Sequence, residues 1–183
     1  LVRALARSPE RPKIYCAGGN VGIAADADLI PLSIDDVGGV AALSAAYQAD
    51  LVVVGPEAPL VAGLCDSLRA FGIRAFGPSA AAARLEGSKA FAKEIMAAAG
   101  VPTARAHTVT DVEAGMAAVA DLGLPVAVKA DGLAAGKGVM VVSTEADARE
   151  ALELCLTRSA FGEAGRTVVV EEGMTGPEVS LLA

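Results

Sequence analysis

Short apolar runs rich in β-branched residues, spaced by segments of helical period, constrain this chain more than any other feature. Lys13-Ile14-Tyr15-Cys16 and Leu51-Val52-Val53-Val54 read as strands. Between them Val37, Val40, Leu43 and Tyr47 share one face of a helix over residues 36–49. Leu60, Leu64, Leu68 and Phe71 mark a second helix, followed by a strand over 73–76. Alternation of this kind, with strands apolar on both faces, predicts an α/β fold around a parallel sheet. Residues 1–7 read as a helix without the strand that should precede it.

The second half restarts the pattern. Gly77-Pro78-Ser79 punctuates the chain, and a helix over 88–99 runs into Gly100-Val101-Pro102, a helix stop and the expected domain boundary. Beyond it come a strand over 105–109, a helix opened by Thr110-Asp111 and a strand over 125–129. A glycine-rich turn leads to a strand over 139–142. A helix capped at Thr144 and strands over 167–171 and 178–182 complete the expectation.

Composition excludes several classes. At 54% hydrophobic residues but 3% aromatic and no tryptophan, the core must be built from Ala, Val, Leu and Ile, and disorder is excluded. No run approaches the ~20 apolar residues of a membrane span, and no secretory leader opens the chain. A net charge of −7 argues against a general nucleic-acid binder, so any anion must be held by a local site. Cys16, Cys65 and Cys155 are odd in number and far apart in apolar sequence, which suits buried thiols in a reducing cytoplasm.

Asp131-Gly132-Leu133-Ala134-Ala135-Gly136-Lys137-Gly138 carries the most chemistry. Small residues let backbone amides approach a polyphosphate while Lys137 adds charge. A P-loop needs four residues before its Gly-Lys, then Ser or Thr, then a helix. Here the gap is three residues, Gly138 follows the lysine and a strand comes next, so the segment reads as a flap joining two strands. Lys129 ends an apolar strand just before it, where a charge is costly unless an anion receives it. Lys89 lies at a helix start, in Glu86-Gly87-Ser88-Lys89, where the dipole also favours an anion. A lone lysine is ordinarily solvated; three flanking glycine turns in this order point to phosphate. Val170-Glu171-Glu172-Gly173, with Glu178 beyond, could offer backbone to an adenine edge and a carboxylate to ribose hydroxyls. Alone, it reads equally well as a solvated hairpin end.

The order Gly-Ser-Lys, strand-Lys, glycine flap, Glu-Glu and final Glu resembles the ATP-grasp superfamily. The strings Val54-Gly55-Pro56-Glu57-Ala58-Pro59-Leu60, Phe76-Gly77-Pro78-Ser79, Leu85-Glu86-Gly87-Ser88-Lys89-Ala90-Phe91-Ala92-Lys93 and 128–139 resemble the phosphoribosylamine–glycine ligase family of purine biosynthesis. The resemblance implies a pre-ATP-grasp parallel-sheet domain over 1–100, lacking its first strand. It further implies the small ATP-grasp lobe with the flap over 101–176 and the start of a second lobe at 177–183. It also implies ATP-dependent joining of 5-phosphoribosylamine to glycine through a glycyl phosphate, with ADP and phosphate released.

Carried over by position, Lys89 and Lys129 would neutralise the ATP phosphates. Asp131, Gly132, Gly136, Lys137 and Gly138 would close over them, with Lys137 the catalytic candidate. Glu171, Glu172 and Gly173 would hold adenine and Glu178 the ribose. Asn20, Gly55, Pro56 and Glu57 would face the phosphoribosylamine. The family's Mg2+ or Mn2+ ligands and its glycine site are expected beyond Ala183, so no metal ligand is assigned here and the chain alone is expected not to turn over. A monomer or weak homodimer is expected. Ala17-Gly18-Gly19 stands before Asn20 where the family has a proline and one glycine. His107, the sole histidine, is expected to be packed or exposed rather than a base, and Asp26, Asp28, Asp35 and Asp36 to be solvated or capping. Two rivals remain: another ATP-grasp carboxylate–amine ligase, and a non-catalytic ATP-binding module.

Overall fold

In the computed structural model, which describes residues 1–134 and 136–181, contacts divide the chain into two units, Leu1–Ala83 and Arg84–Ala183. The first unit opens with helix α1 (Val2–Ala6). Strand β1 (Tyr15–Ala17) pairs with β2 (Asp28–Ile30) in parallel, and β3 (Val52–Val53) pairs in parallel with β4 (Ala75–Phe76). Parallel pairing is the arrangement the apolar runs predict. Strand β2 escapes a sequence reading because three residues beginning with Asp show no period.

Helix α2 (Val37–Ala46) starts where Asp36 accepts a bond from the Gly39 amide at 2.8 Å. The single helix expected over 60–71 is two, α3 (Glu57–Val61) and α4 (Leu64–Ala70). Gly63 breaks it by taking φ +86°, a conformation that a side chain at this position would resist. Val40, Ala41, Val54, Leu64, Cys65, Leu68 and Ile73 form the core of this unit. Helix α5 (Ala80–Gly87) spans the division.

The second unit begins with α6 (Lys89–Ala99), whose N-cap Ser88 accepts from the Phe91 amide and whose C-cap Gly100 has φ +65°. Strand β5 (Ala106–Val109), helix α7 (Val112–Leu122), strands β6 (Val126–Ala130) and β7 (Val139–Val142), helix α8 (Glu145–Leu156) and strand β8 (Val168–Glu172) follow. Asp111 and Thr144 cap α7 and α8, each accepting from the amide three residues on. The four strands form one antiparallel sheet in the order β5-β8-β6-β7.

Side chains alternate across this sheet. Val126, Val128, Ala130, Val168 and Val170 bury against Val119, Leu152 and Cys155 from α7 and α8. The intervening residues, Ala127, Lys129, Val169 and Glu171, lie on the opposite face by the same alternation. The pleat therefore puts a lysine and a glutamate on the side of the sheet away from α7 and α8, where Ala127, Val169 and Glu171 are themselves buried.

The strand expected over 178–182 is not formed among its described residues, 178–181, and Leu182 lies outside them. A strand persists through its ladder, and no described strand pairs with this segment, where Val179 and Leu181 stand exposed. Among the described residues no helix is long and apolar enough to cross a membrane.

Candidate functional site

The flap residues bridge β6 and β7, and their two parts behave differently. Its root is held: Ala130 donates to the Gly138 carbonyl at 2.8 Å, the Asp131 amide to Thr167 at 3.0 Å, and the Gly132 amide to Ala164 at 3.3 Å. Gly132 is pressed so closely that a Cβ would come within 2.8 Å of the Ala164 Cβ. Toward the tip, Gly136 takes φ +76° with open space around it, and Lys137 is exposed. Among the described residues the Lys137 amide is bonded to Ala134, but its ammonium has no partner. Ala135 lies outside them.

Asp131 faces back into the protein. Its carboxylate accepts from the Ala90 amide at 2.7 Å and from the Ser88 hydroxyl at 3.0 Å, so it caps the start of α6 together with Ser88. Lys89 donates from its amide to the Asp131 carbonyl at 3.2 Å, and its Nζ reaches the carbonyls of Asp131 and Gly132 at 3.3 and 3.1 Å. One helix start and the flap root are thus a single bonded assembly.

The second cluster lies on β6 and β8. Ala127 sits opposite Glu171 and Lys129 opposite Val169, so Lys129 and Glu171 are diagonal neighbours on one face. The Lys129 Nζ donates to Glu171 Oε2 at 2.6 Å. Lys93, one turn along α6 from Lys89, brings its Nζ within 3.3 Å of Glu171 Oε1. Glu171 is the one charged residue among the buried groups of the described chain. Two ammonium groups on one carboxylate leave the cluster with a net positive charge, the sign an anion requires.

Beyond Glu171 the backbone is tied down in turn. The Glu172 amide donates to the Arg105 carbonyl at 3.0 Å and the Gly173 amide to Pro125 at 2.8 Å. The Glu172 carboxylate accepts from the Arg105 amide at 2.7 Å and from its Nε at 3.0 Å. The Arg105 amide and guanidinium, with help from the Lys93 charge, hold this carboxyl below its ordinary range. Because the Glu172 and Gly173 amides are taken, the first amide after them with no bond among the described residues is that of Met174. Glu178 stands in the exposed segment beyond β8, with no ion pair among the described residues.

The first-unit candidates form no comparable network. The Asn20 side chain accepts from the Gly22 amide at 3.0 Å, a local turn after β1. Gly55, Pro56 and Glu57 stand exposed after β3, with Pro56 the N-cap residue of α3. Both loops follow the carboxyl ends of parallel strands, where α/β folds bind ligands. His107 pairs with Asp121 at 2.9 Å, both exposed. Sequence reasoning assigned no role to Lys93, Ser88 or Arg105; the i, i+4 spacing of Lys89 and Lys93 on α6 was the available signal for the first.

The model of the phosphoribosylglycinamide synthetase N domain matches residues 1–86, and that of the ATP-grasp (A) domain of the same synthetase matches residues 87–183. The phosphoribosylamine–glycine ligase of Mesorhizobium japonicum is 53% identical over 176 residues, 96% of this chain and 41% of that relative. The crystal structure of phosphoribosylamine–glycine ligase from Thermotoga maritima aligns with a TM-score of 0.75 at 23% identity, over 96% of this chain and 41% of the other. A Campylobacter jejuni biotin carboxylase, solved as a complex with β-γ-ATP, aligns with a TM-score of 0.76 at 22% identity, over 95% of this chain and 42% of the other. The chain therefore spans about two fifths of the length of these proteins.

Proposed function

Because the chain belongs to the phosphoribosylglycinamide synthetase family, with an N domain and an ATP-grasp domain, we propose that it is part of an ATP-dependent ligase that joins 5-phosphoribosylamine to glycine. ATP phosphorylates the glycine carboxylate, the amine attacks the acyl phosphate, and glycinamide ribonucleotide, ADP and phosphate leave, a step of purine biosynthesis. A carboxylate is a poor electrophile, and the acyl phosphate that activates it must be kept from water. In this reading residues 101–176 are the small ATP-grasp lobe and 177–183 begin the second.

The observation that carries the reading is Lys129, part-exposed beside the flap root with Glu171 as its one bonded partner among the described residues. An ammonium has three donors, so two remain for phosphate oxygens. Lys137 on the open flap tip adds a second charge from above. Gly132, Gly136 and Gly138 let that segment close. Asp131 serves the site by holding the flap root to α6 rather than by touching nucleotide, and Lys89 is placed to exchange its carbonyl partners for a phosphate. Backbone after Glu171 meets adenine, with the Glu172 and Gly173 amides already spent and the Met174 amide free to donate. Glu178 takes the ribose hydroxyls, and Asn20, Gly55, Pro56 and Glu57 meet phosphoribosylamine.

Among the described residues no group of three or more His, Cys, Asp or Glu side chains could hold a metal ion; the Mg2+ or Mn2+ that accompanies ATP would be held by residues beyond Ala183. The free thiols Cys16, Cys65 and Cys155 suit a cytoplasmic enzyme, and a monomer or weak homodimer goes with it.

The test is glycine-dependent ADP release by the full-length protein, with phosphoribosylamine generated in place. ADP release that ignores glycine would sink the reading. In the same protein Lys129→Ala should weaken ATP binding by at least about tenfold, as loss of a charge-assisted contact does.

A further inference from the structure

Lys93 is as firmly held as any cation in the second unit, yet its bonds leave it nothing to offer a ligand. Its Nζ donates to the Thr103 hydroxyl at 2.8 Å and to the Ala104 carbonyl at 2.8 Å, and pairs with Glu171 Oε1 at 3.3 Å. Those three partners use all three donors of an ammonium. Its side chain is 16% exposed, against 25% for Lys129. Lys129 faces the same carboxylate through the other oxygen, Oε2, and has donors to spare.

Resting on the nucleotide reading of this site, we infer that Lys93 is a positioning residue that sets the charge and orientation of Lys129 through Glu171. The carboxylate shares itself between two ammonium groups, one oxygen each. While Lys93 occupies Oε1, Glu171 orients Lys129 without cancelling it, and the cluster keeps one uncompensated positive charge beside the flap root. Without Lys93 the same carboxylate closes on Lys129 alone and the pair becomes neutral. A polyphosphate would then meet a lysine whose charge is already answered in a part-buried setting, where water screens it poorly.

Calorimetric ATP binding to the full-length protein tests this with Lys93→Met, Lys93→Arg, Lys129→Ala and the double variant Lys93→Met/Glu171→Gln. Lys93→Met should weaken ATP by at least about tenfold, and Lys93→Arg should restore most of it. The double variant should also recover affinity relative to Lys93→Met, because removing the carboxylate's charge frees Lys129. A residue that merely supported the fold would show no such recovery on a second substitution. Unchanged ATP affinity in Lys93→Met, or a double variant that binds no better than Lys93→Met, overturns the inference. If Lys129→Ala loses ATP while Lys93→Met does not, only the role of Lys93 falls; if Lys129→Ala also binds normally, the nucleotide reading falls with it.

Discussion

The two units handle their candidate residues in opposite ways. In the second, side-chain bonds join Ser88 and Lys89 to Asp131 and the flap root, and Lys93 and Lys129 to Glu171, so that α6 ties a loop and two strands together. In the first, the Asn20 side chain accepts from the amide two residues along its own loop, and Gly55, Pro56 and Glu57 stand exposed. The cores differ likewise. Val126, Val128, Val168 and Val170 are wholly inaccessible in the antiparallel sheet, whereas Tyr15, Leu29, Leu51 and Phe76, on or beside the short parallel pairs, are at least two-fifths exposed. A continuous sheet lets residues 42 apart in sequence meet on one face; two- and three-residue strands leave loops to organise themselves. The lesson is that a site is preorganised only as far as the sheet beneath it is.

The comparison breaks most directly at the cores. Leu152 and Leu68 are both fully buried, yet Leu152 packs so tightly that a Cβ on Gly115 would approach its Cδ2 to 2.6 Å. Leu68 sits in a smaller cluster, with Val40, Ala41, Val54, Leu64, Cys65 and Ile73 buried beside it and Leu32, Val37, Val52, Leu60 and Ala75 partly buried around them. Leu152→Ala should cost about 2–5 kcal/mol in denaturant unfolding, with Leu68→Ala at the lower end because its surroundings can collapse. Equal losses at the two positions would remove the distinction between the cores.

A smaller effect is expected at the loops. Asp131→Ala takes a cap from α6 and a tie from the flap root, and should cost about 1–2 kcal/mol. Asn20→Ala, which loses one exposed turn bond, should stay within about 0.5 kcal/mol. Hydrogen exchange at the first turn of α6 would locate the former, and unchanged protection there would contradict the capping role.

The smallest effect concerns acid. Glu172 is held below its ordinary range by Arg105, so its contribution is present above the unfolded carboxylate pKa and is lost as pH falls through the lowered folded value. Glu172→Gln should therefore flatten the acid limb of the stability curve slightly below about pH 4 while changing its shape little near neutrality. An acid limb as steep as that of the parent would mean that the Arg105 contacts do not hold in solution.

Much of this was legible in the sequence, for definable reasons. Asp111, Thr144, Ser88 and Gly100 announce helix ends through their own chemistry, and each stands at a helix end in the structure. The apolar run over 125–129 and the glycine spacing at 132–138 placed Lys129 at a strand end before a flap. Strand β2 and helix α5 were not legible, since three residues carry no period and the alanines of α5 mark no face. The break between α3 and α4 hides in a continuous apolar stripe, because Gly63 acts through backbone conformation rather than hydrophobicity. Over 178–181 the error ran the other way: a strand was expected where none pairs, because a run of apolar residues does not by itself supply a partner.

For the site, residue types and order sufficed to single out Lys89, Lys129 and Lys137 as candidates for phosphate and Glu171 as a candidate for an adenine edge. Sequence also settled the α/β alternation and the rejection of a P-loop, since both depend only on local spacing. The tertiary structure alone decided what each charge is spent on. Asp131 caps a helix, Glu172 is consumed by Arg105, and Lys93 is drawn onto a carboxylate 78 positions further along the chain. Partnership of that kind is set by strand register and by which face of the pleat a side chain occupies. Those are properties of the paired sheet rather than of any one segment within it.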